Sequence, residues 1–142
     1  MSERLLVRDI AYYLKMQYPG IVYRFDLAAD LKLTMGQARR HKDIHGQRGY
    51  PDLFIAKPVY NAKEDKNYHG CFIELKREGT TIFKKDGTIR ADSHLKEQAE
   101  FLSKLRECGY MAEFAVGFDH TKSLIDYYLN SDRVSYIGGA SV

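Results

Sequence analysis

The chain has 142 residues, 44% hydrophobic and 29% charged, with 11 tyrosines, 7 phenylalanines and no tryptophan. That is enough to bury one core, too short for two ordinary domains, and too rich in apolar residues for a disordered tail. No apolar run is long enough to span a bilayer, so no membrane partner is expected, and the net charge of +3 permits a nucleic-acid partner without demanding one.

The N-terminus lacks the charged-then-apolar pattern of a secretory signal. Ser2 is an acceptable N-cap, and Leu6, Ile10, Tyr13 and Leu14 recur at helical spacing behind it. Glu3 falls in the first turn, where a carboxylate is favourable beside the positive helix end. Pro19-Gly20 ends the helix, and residues 21–26 alternate as a strand. Thr34-Met35-Gly36-Gln37 is a capping-box pattern that starts a short helix. That helix carries Arg39, Arg40 and Lys42, and His45, Gln47 and Arg48 extend the polar, basic character beyond it. Such a run is usually a solvated face. Its position just before the next strand also suits a grip on a phosphate backbone.

Gly49 to Ala56 and Cys71 to Lys76 read as two short apolar strands, and each carries charge. Asp52 stands at the start of the first; Glu74 and Lys76 stand in the second. Unpaired buried charge costs several kcal/mol, so these groups need a partner. Side chains alternate along a strand, so Glu74 and Lys76 share a face. If the two strands pair as a hairpin, Asp52 and Glu74 converge, and a hard divalent cation such as Mg2+ is the natural partner. The polar stretch 58–69 is then expected to be a flexible connection without chemistry of its own.

Residues 81–90 read as a hairpin around an Asp86-Gly87 two-residue turn, adding Arg77, Lys84, Lys85 and Arg90 nearby. A helix capped near Asp92 or Ser93 follows, with Leu95, Ala99, Leu102 and Leu105 inward and Gln98 beside that stripe. Gly109 stops it, 111–116 is a strand, and Asp119 or Thr121 starts a last helix whose Leu124, Ile125, Tyr128 and Leu129 face inward. The final Gly138–Val142 stretch reads as frayed. Cys71 and Cys108 read as buried free thiols in a reducing compartment, because neither disulfide nor zinc spacing is present. The order predicts one α/β domain with a mixed central sheet flanked by helices and an added hairpin.

Pro51-Asp52 followed by Glu74-Leu75-Lys76 resembles the PD-(D/E)xK nuclease signature. With Gly49, the Phe72-Ile73-Glu74-Leu75-Lys76 strand, Gln98 and Gly109, the chain from about Glu3 to Leu129 is similar to the virus-type replication-repair nuclease (VRR-NUC) family, especially its small phage members. The resemblance implies a restriction-endonuclease-like core. It implies Mg2+ or Mn2+ held by Asp52, Glu74 and the Leu75 carbonyl, with Glu3 as a further ligand, and Lys76 and Gln98 beside the reaction. Whether Lys76 is a base or an electrostatic stabiliser is left open. The implied substrate is DNA, gripped by Arg39, Arg40, Lys42, Arg48 and Arg77. Branched DNA such as a four-way (Holliday) junction, a homodimer and a cytoplasmic, phage-encoded setting are also implied. The alternatives are a non-catalytic nucleic-acid-binding accessory protein and a sequence-specific restriction-type enzyme.

Overall fold

A computed structural model describes residues 2–26, 33–46 and 48–131. Gln47 and the Gly138–Val142 tail lie outside the described residues. The elements run α1 (Glu3–Gln17), β1 (Tyr23–Phe25), α2 (Met35–Ile44), β2 (Leu53–Ile55), β3 (Val59–Asn61), β4 (Lys66–Tyr68), β5 (Cys71–Lys76), α3 (Ser93–Glu107), β6 (Met111–Val116) and α4 (Gly117–Leu129). The main sheet has the order β1-β2-β5-β6. β1–β2 and β2–β5 are antiparallel, and β5–β6 is parallel. The architecture is thus α/β with a mixed sheet, as the order of elements predicts.

Strand alternation divides the core into two. Leu53 and Ile55 of β2, Cys71, Ile73 and Leu75 of β5, and Met111 and Ala115 of β6 pack with Leu6, Ile10 and Leu14 of α1 and Ile125, Tyr128 and Leu129 of α4. The opposite faces of the same strands send Phe54, Phe72, Ala112 and Phe114 against Leu95 and Leu102 of α3. A strand covered on both faces becomes almost wholly apolar, which is why β5 is buried from Cys71 to Leu75. Glu74 is the exception, and it faces α3 together with Phe72.

Local chemistry sets the helix starts. Ser2 caps α1 by accepting from Leu5 N, and Thr34 with Gln37 forms the reciprocal capping box of α2. Asp92 caps α3 by accepting from the backbone of His94 and Leu95. Gly109, at φ +92°, supplies the left-handed residue that ends α3. Among the described residues, no helix is long and apolar enough to cross a membrane.

Four details differ from the sequence reading. The stretch 58–69 is a two-stranded hairpin, β3 with β4, rather than a structureless connection. Asn61 makes its turn by accepting from Glu64 N at 2.9 Å, and its amide donates to Glu64 Oε2 and to the Tyr127 hydroxyl. The hairpin of 81–90 closes through one bridge, Phe83 to Ile89, around a three-residue loop. Gly87 N donates to Lys84 O, Lys84 N donates to Thr88 O, and Gly87 sits at φ +85°, a turn followed by a glycine bulge. α4 starts at Gly117, directly after β6, rather than at Asp119 or Thr121. Cys108 is exposed, because it is the capping residue at the open end of α3, whereas Cys71 is buried.

Candidate active site

β1 fixes the entry to β2, since Asp26 N donates to Asp52 O at 2.7 Å and carries the ladder one residue past the strand. Period two then places Asp52 on the same side of the sheet as Phe54, facing α3. Glu74 shares that side one strand over. The Asp52 carboxylate accepts from Leu75 N at 2.9 Å, so a side chain takes over the ladder where Pro51 has ended it. Continued one step, the β2–β5 register sets Pro51 opposite Leu75. Proline has no N–H to donate, so the Leu75 carbonyl loses its ladder partner at this edge.

Glu74 is 4% exposed. Its Oε1 accepts from Gln98 Nε2 at 2.9 Å, and Lys76 Nζ lies 3.8 Å from the same oxygen. Lys76 Nζ donates to Gln98 Oε1 at 2.8 Å. One amide therefore holds both the carboxylate and the ammonium. Gln98 can do so because Leu95 and Leu102, buried on the same stripe of α3, fix the helix rotation. Among the described residues, Glu74 Oε2 is the buried side-chain oxygen that lacks a formed hydrogen bond. The Asp52 carboxyl is its neighbour, and a hydrogen bond between the two acids forms only when one is protonated, so a Glu74 oxygen is left without a donor when both are ionised.

Burial pushes the Glu74 carboxyl far above the ordinary carboxylate range, and the neighbouring Asp52 charge pushes it further. Burial also raises Asp52, while hydrogen bonds from Glu74 and from Leu75 N hold it down. The Lys76 ammonium draws Glu74 down only in part, and burial with the Asp52 charge outweighs it, so in the metal-free protein the pair favours keeping a proton on Glu74. The donor chemistry fits a hard divalent cation: two carboxylates, one with an unsatisfied buried oxygen, and a backbone carbonyl.

Glu3 is exposed in the first turn of α1, and its charge raises both Asp52 and Glu74. Among the described residues, however, no three His, Cys, Asp or Glu side chains are grouped as metal ligands, so Glu3 is not gathered with the pair. The basic residues separate. Arg39, Arg40, Lys42 and Arg48 are all exposed, and Lys42 and Arg48 meet at one cavity beside Tyr50. Arg77, next in sequence to Lys76, lines a separate polar recess of about 520 Å³ with Glu78, Thr80, Thr81 and Arg90. Arg39 and Arg40 line neither.

Sequence reasoning passed over two features. Tyr50 and Phe101 join in an aromatic wall; the only signal was that Tyr50 precedes Pro51-Asp52. Gly49 has φ +92°, and a Cβ there would stand 3.0 Å from Glu97 O and 3.2 Å from Gln98 N. The chain entering β2 thus rests on the turn of α3 that bears Gln98. Gly49→Ala is expected to cost about 1–3 kcal/mol of stability, from the left-handed backbone and the clash together. Urea denaturation measures this, and unchanged stability would mean that the contact is not tight.

No protein-family model matches this chain, and no curated protein matches it. Among solved structures, a protein described as "VRR_NUC domain protein" aligns with a TM-score of 0.65 and 24% identity, over 100% of this chain and 97% of that one. The described residues therefore share the fold of a VRR_NUC domain, with its mixed sheet flanked by helices.

Proposed function

We propose that the protein is a divalent-cation-dependent DNA endonuclease that hydrolyses phosphodiester bonds, with a preference for branched DNA. The observation that carries this reading is the half-buried Asp52 beside the buried Glu74, whose Oε2 has no donor when both acids are ionised, with Lys76 tied in through Gln98. A purely structural role does not account for a buried acid packed with a second, half-buried acid and a half-buried amine at the ends of the two central strands. Sites that must hold a charged ligand do.

Asp52, Glu74 and the Leu75 carbonyl would hold Mg2+ or Mn2+, with Glu3 as the candidate to approach from α1. When bound, the cation supplies an activated water and neutralises the charge of the phosphate under attack. The chain's own part is to prepare that arrangement. Gln98 holds the Glu74 carboxylate and the Lys76 ammonium in fixed relation, so little reorganisation is left for the reaction. Lys76 sets one positive charge where negative charge develops on the phosphate. Arg77 and Arg90, with the hydroxyls of Thr80 and Thr81, offer donors to the DNA backbone beyond the cut. Lys42 and Arg48 do so on the other side.

A two-fold dimer would set two such centres on two strands, as resolution of a four-way junction requires. By its resemblance to small phage members, the protein would serve phage replication, recombination or repair. The test is a panel of fork, flap, four-way-junction and linear substrates incubated with Mg2+ or Mn2+. Metal-dependent cuts near the branch support the reading. Binding without any cutting would favour an accessory nucleic-acid-binding role, and discrete cuts in linear duplex would favour a restriction-type enzyme.

A further inference from the structure

A cavity of about 690 Å³ opens between α2 and the segment entering β2, with Lys42, His45, Arg48, Tyr50 and Phe101 among its walls. A smaller one, about 300 Å³, shares His45 and Tyr50 and reaches Pro51 and Phe54. Together they have the size and the mixed aromatic and polar lining of a small-ligand pocket. The Tyr50 ring is held edge-on by Phe72 at 5.7 Å and by Phe101 at 5.3 Å, yet 49% of the residue is exposed. An aromatic ring fixed in orientation and left half open, in a cavity lined by Lys42 and Arg48 as well as by the Asp26 carboxylate, matches a flat base whose phosphates reach the two cations.

We propose that this cavity receives one unpaired nucleotide of the strand being cut, its base lying against Tyr50 and its flanking phosphates meeting Lys42 and Arg48. The inference rests on the nuclease reading and narrows it to DNA with an unpaired nucleotide beside the scissile phosphate. Tyr50 and Asp52 are two residues apart, a reach of at most about 7 Å. The nucleotide that fills the cavity therefore lies within a few steps of the scissile phosphate. A base inside a duplex has both faces covered by its neighbours. Only an extruded or single-stranded base has a face free for Tyr50. Tyr50 is thus a specificity-determining residue that selects ends, flaps and junction points over continuous duplex.

Single-turnover cleavage with Mn2+ tests this. The half-saturating protein concentration is measured for unaltered protein, Tyr50→Leu and Tyr50→Phe. Forked substrates are either intact or carry one abasic residue, moved stepwise through the three nucleotides on each side of the cut. Tyr50→Leu should raise that concentration about tenfold and Tyr50→Phe should not, within the range of base–aromatic stacking. One abasic position should raise it similarly for the unaltered protein, which needs no variant to fold. At that position Tyr50→Leu should add nothing further. If cleavage occurs but no abasic position matters, or if the two losses multiply at every position, the cavity assignment falls and the nuclease reading stands. If the unaltered protein cuts no substrate, both fall.

Discussion

Asp52→Asn is expected to lower the rate of metal-dependent strand cleavage by at least about a thousandfold while the protein remains folded. Asparagine keeps the shape and an oxygen that can still accept from Leu75 N, so the β2–β5 junction survives. What it removes is one of the two charges that would face the cation. Lys76→Ala is expected to lose about 10²- to 10³-fold, since it deletes the positive charge set beside the phosphate. Gln98→Ala should cost less, about 10- to 100-fold, because Gln98 acts by positioning Glu74 and Lys76. Single-turnover rates on a branched substrate measure all three, with melting curves to confirm folding. Asp52→Asn retaining more than a tenth of the rate would be incompatible with its place in the centre.

The second large effect is on stability. In the unfolded chain the Glu74 carboxyl titrates near the ordinary value of about 4.3. Folding raises it, chiefly by burial and then by the Asp52 charge. Between the two values the folded state binds more protons than the unfolded state, so stability falls as pH rises through that window. The protonated pair is fully favourable below the ordinary carboxylate range. The metal-free protein should therefore lose on the order of 2 kcal/mol between about pH 5 and pH 8, allowing for partial relaxation around the charge. That corresponds to a fall of roughly 4–8 °C in melting temperature. Glu74→Gln should flatten the slope and melt higher than the unaltered protein at neutral pH, since a neutral amide has no proton to lose. A slope of equal size in Glu74→Gln would assign the effect to other groups.

Much of this centre was legible before any coordinates, for a physical reason. Charges at Asp52, Glu74 and Lys76 interrupt apolar strands, and a period of two says which side each one faces. Both strands could thus be read locally, whereas their antiparallel pairing stood as a condition that the β2–β5 register meets. The helix starts at Ser2, Thr34 and Asp92 were legible because each is set by one side chain within three residues. What escaped depends on uncommon local bonds or on packing between distant parts of the chain. The β3–β4 turn is made locally by Asn61 and Glu64 within a polar composition that looks like an ordinary loop, and Asn61 is further tied to Tyr127, 66 residues away. α4 begins without a side-chain cap of the usual kind; instead His120 Nδ1 accepts from Val116 N, which no standard capping pattern reveals. The unsatisfied oxygen of Glu74 is a property of packing and has no sequence signal. Nor does the cavity beside Tyr50, whose walls come from α2, the entry to β2, and α3.

Calorimetric titration of the apo protein with Mn2+ near pH 7, in two buffers of different ionisation heat, addresses the shared centre most directly. The buffer dependence reports protons released on binding. Binding by the unaltered protein should release close to one proton, because the cation displaces the one that Glu74 holds, and both the binding and the release should vanish in Glu74→Gln. Mn2+ binding of equal strength in Glu74→Gln, or no binding by the unaltered protein, would contradict a cation shared by Asp52 and Glu74.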